Sequence, residues 1–473
     1  MKPLFRLCLA SVCAALSILP GCAGKQPPPP PEPPAEVRVD VPARPEALPE
    51  VLLHVPQRVA EAVPLSDDPL LGPEEQAALH ERALERFFAP WTLTRTSIPS
   101  QEAFWGTAAY GSKQGYAENL QPYPRERWEQ LVAQQNMAAY PSMAAPAIVT
   151  RNTALRILPS HRPFFLDPSL PGEGFPFDYF QNSALWLGTP VFISHTSLDH
   201  AWLFVETAFT SGWMRAEDLA LADEAFRGKY RSRIMAAVLA DDTSLLGGGK
   251  YLGQAHIGAV FPLHSRTGQG LVVKVPLRDA SGMAQTGLAH LAPWQAALMP
   301  LPLTSRAVGS LADAMAGQLY GWGGLYENRD CSSTLRDLFL PFGIWLPRNS
   351  SQQARQGDHL VDLEGLDADR KLATIRGLGK PFLSLIWMPG HIGLFLGTDP
   401  RGEPLLLHNI WGVRTVLPDG GTGRAVIGRL AISTLRPGEN RPDVRRGAFL
   451  DRIRGMAVLG AGTSTGTPLQ PVK

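Results

Sequence analysis

Tyr320-Gly321-Trp322-Gly323-Gly324-Leu325-Tyr326-Glu327-Asn328-Arg329-Asp330-Cys331-Ser332-Ser333 is the stretch that decides the fold. Its first five residues hold too much glycine for a regular element, so they read as a loop. From Ser332 to Leu340 the spacing predicts a helix, with Leu335, Leu338 and Phe339 facing inward. Cys331 therefore sits where loop becomes helix. A helix start offers unpaired N–H groups and a partial positive charge. That setting is expected to lower a thiol pKa from about 8.5 and to supply donors for a developing oxyanion.

Working outward, the cysteine count sharpens the reading. The chain has four cysteines. Cys8 and Cys13 fall in an apolar leader and Cys22 at its end, which leaves Cys331 as the thiol of the folded body. A lone thiol is often a small buried hydrophobe. As a nucleophile it would need a base within hydrogen-bond reach. Downstream, Phe382–Trp387, Ile392–Leu396, Pro404–His408 and Ala425–Leu430 read as consecutive strands. His391 opens one of them, and a turn near Asp399-Pro400 would set it directly opposite His408. His391 would then take the thiol proton and His408 would orient its ring. Cysteine and histidine also build zinc sites, but no closely spaced ligand pair is present, so no metal and no cofactor is expected. Upstream, Thr304–Gln318 reads as a helix with Ala307, Leu311, Ala314, Met315 and Leu319 on one side. Helices followed by antiparallel strands are the α+β pattern, assigned here to residues 297–445, with 446–473 as a tail.

The 473 residues are long enough for several units. A formal charge of +1 gives no footprint for nucleic acid. Lys2 and Arg6 precede the apolar run Leu7–Leu19, and Leu19-Pro20-Gly21-Cys22 ends it. Residues 1–21 read as a secretory signal. Pro-rich residues 22–60 read as an extended spacer. Residues 61–146 are helical in pattern, with one helix from Gly72-Pro73 to Ala89 and another from Pro124 carrying Trp128, Leu131 and Val132 on one face. Residues 147–224 and 225–296 hold short apolar runs between turn residues, the pattern of two small β-barrels.

Four motifs in order carry a resemblance: Tyr320-Gly321-Trp322-Gly323-Gly324, Asp330-Cys331-Ser332-Ser333, Gly390-His391-Ile392-Gly393 and His408. The C-terminal region resembles the NlpC-type cell-wall cysteine peptidases, which have a papain-like α+β fold. Thr153–Pro159 and Gly212-Trp213-Met214 resemble bacterial SH3-like domains. The whole is similar to γ-D-glutamyl-L-diamino acid endopeptidases. The resemblance implies a triad of Cys331, His391 and His408, with Tyr320 at the oxyanion site and Trp322, Asp330 and Ser332 along the substrate groove. Ser350 or Ser351 would contact the ligand near its free amine, and the same residues would equally serve as a helix cap. A groove narrowed by the first SH3-like domain would admit stem peptides with a free N-terminal L-Ala. Cys22 lies in a lipobox-like setting, which implies lipidation and a membrane partner, in the outer membrane facing the periplasm if the cell has two membranes. The implied partner is the peptidoglycan stem peptide. The alternatives are an N-acetylmuramoyl-L-alanine amidase on the same fold and a non-catalytic wall-binding lipoprotein.

Overall fold

Pro73 lacks an N–H that the first helical turn could not use, and Glu74 and Glu75 follow it on the side that favours negative charge. Helix Pro73–Phe88 results in the computed structural model, which describes residues 53–356 and 359–460. The signal, lipobox and Pro-rich run lie outside the described residues. Helix Arg125–Gln134 follows, with Trp128 buried. Leu84, Phe88 and Trp91 join Ile148, Phe226, Tyr230 and Met235 in one apolar core, so the helical segment clamps both β-units. The end of the expected spacer is not free. Leu53 is buried against Ile410 and Ala431, and Val59, in the short helix Val59–Ala62, is buried in the C-terminal core.

The first sheet contains β1 Ala145–Val149, β2 Thr153–Arg156, β3 Gln181–Leu185, β4 Pro190–Thr196, β5 Trp202–Glu206, β6 Ser211–Arg215 and β7 Leu219–Leu221. Their order is β3-β2-β6-β5-β4-β1-β7. The second contains β8 Met235–Val238, β9 Thr243–Gly247, β10 Lys250–Ala255, β11 Val260–Thr267, β12 Gly270–Arg278, β13 Ala284–Leu291 and β14 Ala296–Leu298. Its order, β10-β9-β13-β12-β11-β8-β14, repeats that of the first strand for strand. Both units are SH3-like, but among the described residues no ladder joins their outer strands, so they are open sheets instead of closed barrels.

The C-terminal unit packs helices Ser305–Ala314 and Cys331–Phe339 on an antiparallel sheet. Its strands are β15 His359–Asp362, β16 Ser384–Met388, β17 His391–Thr398, β18 Pro404–Val416, β19 Thr422–Thr434 and β20 Gly455–Val458, ordered β15-β20-β16-β17-β18-β19. Three expectations change here. Helix Ser305–Ala314 stops before Leu319, which is exposed together with Ala314, and Val308 and Ala312 are buried in their place. Strands β18 and β19 run past the sheet as a long hairpin arm. Residues assigned to a tail instead supply β20, inserted between β15 and β16.

Candidate active site

Asp330 caps the helix of Cys331. Its carboxylate accepts the Ser333 N–H at 2.9 Å, while the Ser333 hydroxyl accepts the Asp330 N–H at 2.9 Å. This reciprocal capping box fixes Cys331 as the first helical residue. The expected lowering of its pKa is not what the surroundings produce. Burial and then the Asp330 carboxylate push the Cys331 thiol up to about 12, against the Ile392 N–H, Arg348 and the Ser332 N–H, which pull it down. Removing the thiolate from water, next to a fixed negative charge, outweighs the helix terminus.

His391 and His408 come together, although not in the expected register. Leu394 pairs with Leu407 and Phe395 with Leu406, which places His391 and His408 diagonally on one face. The two-residue slip keeps both side chains on the same side of the pleat. Gly393 makes the contact possible: a Cβ there would stand 3.0 Å from the His408 Cβ and 2.7 Å from the Leu406 Cγ. His391 Nε2 and His408 Nδ1 are 2.8 Å apart, and His408 Nε2 is 3.0 Å from the Ser433 Oγ. The Ser433 hydroxyl donates to the Thr434 carbonyl at 2.7 Å, so its oxygen accepts from His408 Nε2–H. His408 Nδ1 is then an acceptor, His391 Nε2 carries the proton, and His391 Nδ1 is the free base. Burial, with Arg452 next, lowers the His391 pKa to about 3. Burial and then His391 lower that of His408 well below the usual value. No hydrogen bond joins the thiol to His391 among the described residues. Cys331 nonetheless lies against β17 through the N–H of Ile392, the residue after His391.

Of the other expected residues, Tyr320 and Trp322 line a cavity of about 600 Å³ together with His391. Burial, then Cys331 and Asp330, hold the Tyr320 phenol well above its ordinary pKa, so it stays a donor. Asp330 and Ser332 do not line the groove. Both are buried in a network with Arg348, whose guanidinium reaches the Asp330 carboxylate at 2.6 Å and 3.2 Å and the Ser332 hydroxyl at 2.9 Å. Ser350 and Ser351 open the short helix Ser350–Gln353, behind Asn349 at the cap, and neither borders this cavity.

The groove wall comes from the loop between β2 and β3. Phe177 stands 5.2 Å from Trp322 and 5.7 Å from Trp411 between ring centroids, and Gly172 also borders the cavity. The catalytic loop lies flush on β3 because Gly323 and Gly324 adopt φ of 60° and 84°. A Cβ on Gly323 would meet the Gln181 carbonyl oxygen at 2.5 Å, and one on Gly324 the Ala184 nitrogen at 2.4 Å. Ser433, Phe177, Phe449 and Arg452 carried no signal in sequence. Phe449 lies 6.0 Å from the His391 ring and 5.7 Å from that of His408, from within the supposed tail.

A helix-borne cysteine packed on a sheet that presents a histidine pair defines a papain-like cysteine peptidase site. Family models locate the rest of the chain around it. The NLPC_P60 stabilising domain (N-terminal) matches residues 11–140, the SH3 domain of SH3b1 type 163–215, the SH3 domain of SH3b2 type 223–267, and the NlpC/P60 family 317–368. The chain thus carries an NlpC/P60 domain together with two SH3b domains and an N-terminal stabilising domain, the domain set of a cell-wall peptidase. A structure titled as a novel NlpC/P60 endopeptidase from Photobacterium damselae subsp. piscicida is similar, with TM-score 0.78 and 23% identity over 88% of this chain and 99% of that one. An NlpC/P60 family protein from Bacillus cereus matches with TM-score 0.42 and 16% identity, over 66% and 99%. A search of curated proteins finds no match.

Proposed function

We propose that the protein hydrolyses the γ-D-glutamyl–diamino acid amide of peptidoglycan stem peptides through a thioester at Cys331. The observation that carries this reading is the chain of hydrogen bonds from Ser433 through His408 to His391, which leaves His391 Nδ1 unprotonated. That nitrogen takes the thiol proton as sulfur attacks the amide carbon. The resulting oxyanion receives hydrogen bonds from the helix-start amides and from the Tyr320 phenol. His391 then returns the proton to the leaving amine, and water, activated by the same imidazole, releases the thioester. The aromatic wall of Phe177 and Trp322 supports a short, closed acyl side suited to a peptide with a free N-terminal L-Ala. The leader pattern of residues 1–21 and Cys22 supports export and lipid anchoring, in the outer membrane facing the periplasm where the cell has two membranes, beside the wall polymer.

The test is digestion of a defined stem tripeptide and of its glycan-linked form, with fragments identified by mass spectrometry. Release of L-Ala-D-Glu is expected from the free peptide, with loss of all cleavage in Cys331→Ala. Release of the intact tripeptide from the glycan-linked form, with the free peptide left uncut, would instead establish an amidase, and cleavage that persists in Cys331→Ala would remove the assignment.

A further inference from the structure

Around the cavity that holds His391 stand Arg414, Arg424, Arg445 and Arg452, and no acidic side chain lines it. Arg445 is neutralised by Asp451 at 2.9 Å. The other three have no carboxylate partner among the described residues. Arg424 donates to the Pro171 carbonyl at 3.3 Å and Arg452 to the Pro389 carbonyl at 2.8 Å, both neutral acceptors. The Arg424 Nε is buried with no hydrogen-bond partner.

Their placement is unfavourable for the protein alone. Arg414 on β18 and Arg424 on β19 are direct partners in the ladder, where like charges repel. Burial, then Arg414 and Arg452, lower the Arg424 pKa, and Glu173 opposes them without forming an ion pair. Arg452 is lowered by burial, then by Arg414 and Arg454. The hairpin arm that carries Arg414 and Arg424 extends beyond the body of the sheet, and both arginines line the cavity from it. Three converging guanidinium groups with unused donors make a site for carboxylate, the group they match in planar, two-point hydrogen bonding.

We propose that Arg414, Arg424 and Arg452 form a carboxylate-recognition subsite, by which the enzyme selects stem peptides with free carboxylates over amidated ones. This rests on the peptidase reading above. A stem peptide offers that chemistry from two sources, the α-carboxylate of γ-linked D-Glu and the second carboxylate of a diaminopimelate residue. Amidation or replacement by lysine removes one or the other without touching the scissile bond. Each guanidinium–carboxylate pair lost corresponds to about a tenfold fall in kcat/KM.

The experiment uses the full chain and four tripeptides that differ only in charge: L-Ala-γ-D-Glu-diaminopimelate, its D-isoglutamine form, its form amidated on the second diaminopimelate carboxylate, and the lysine peptide. Cleavage of the free acid is expected to exceed that of at least one amidated form by about tenfold, and the arm that loses rate identifies the carboxylate read. In Arg414→Gln, at an exposed position, and in Arg424→Gln the ratio is expected to shrink towards one. Equal rates for all four peptides, or a ratio unchanged in both variants, would overturn the subsite. Calorimetric binding of the same peptides to Cys331→Ala decides the question independently of turnover. If no peptide is cleaved yet the free acid binds more tightly than its amidated forms, the peptidase reading fails and the subsite stands.

Discussion

At Cys331 two opposing effects act on one sulfur, and their magnitudes decide its resting state. The amides of Ser332 and Ile392 favour thiolate, but burial and Asp330 win and leave the thiol up to about 12. Burial lowers the His391 pKa to about 3. The resting pair is therefore neutral thiol and neutral imidazole, and in the proposed reaction the proton moves as attack begins, when substrate replaces water and the imidazolium gains a developing oxyanion for company. This has a direct readout. Alkylation of Cys331 by iodoacetamide is expected to rise steadily with pH into the alkaline range, without a plateau beginning below pH 6. Such a plateau would mean a stable thiolate–imidazolium pair and would contradict these surroundings.

Elements place those residues, and small side chains decide how closely. The capping box of Asp330 and Ser333 starts the helix at Cys331, and the Arg348 ion pair neutralises the buried capping carboxylate. Although burial raises it, Arg348 and the Ser333 hydrogen bonds bring the Asp330 pKa down to about 2. On the sheet, Gly393 is the gap through which β17 and β18 bring two histidines together. Gly393→Val would press on Leu406 and His408. It is expected to cost about 1–3 kcal/mol of stability and, by moving His408, about a hundredfold in kcat. Urea denaturation and turnover on the same preparation check both, and a folded variant with full activity would show that the diagonal contact is dispensable.

At the scale of the molecule, the catalytic loop is held by the other units through buried charge. Arg329 is fully buried, with Asp241 from the second SH3-like unit at 2.8 Å and 2.9 Å, and Asp337 of the catalytic helix at 2.7 Å. The Trp186 N–H, from the first unit, reaches the same Asp337 at 2.9 Å. Three units thus meet two residues from Cys331. Asp241→Asn leaves Arg329 and Arg336 to share Asp337, and is expected to destabilise the chain by about 3–5 kcal/mol. Asp242→Asn, at an exposed neighbour, is the control, and equal denaturation midpoints for the two variants would show that the network does not tie the units together.

Local pattern determined a good deal by itself. The glycine-rich loop, the helix at Cys331 and the inward faces of Leu335, Leu338 and Phe339 follow from periodicity, and all three leucine and phenylalanine side chains are fully buried. The order of motifs pointed to the domain types because each motif is a short, self-contained stretch. The second SH3-like unit was only partly legible, since strands such as β9 and β13 alternate exposed and buried residues without a long apolar run. What no window of sequence contains is who meets whom across the sheet. The register that sets His391 diagonal to His408, the Ser433 that fixes its tautomer, and the Phe449 and Arg452 brought back by β20 all depend on strand pairing between distant segments. The thiol's ionisation belongs to the same class. A helix start is local and readable, whereas burial and a neighbouring carboxylate are properties of the packed whole, and here they outweigh it.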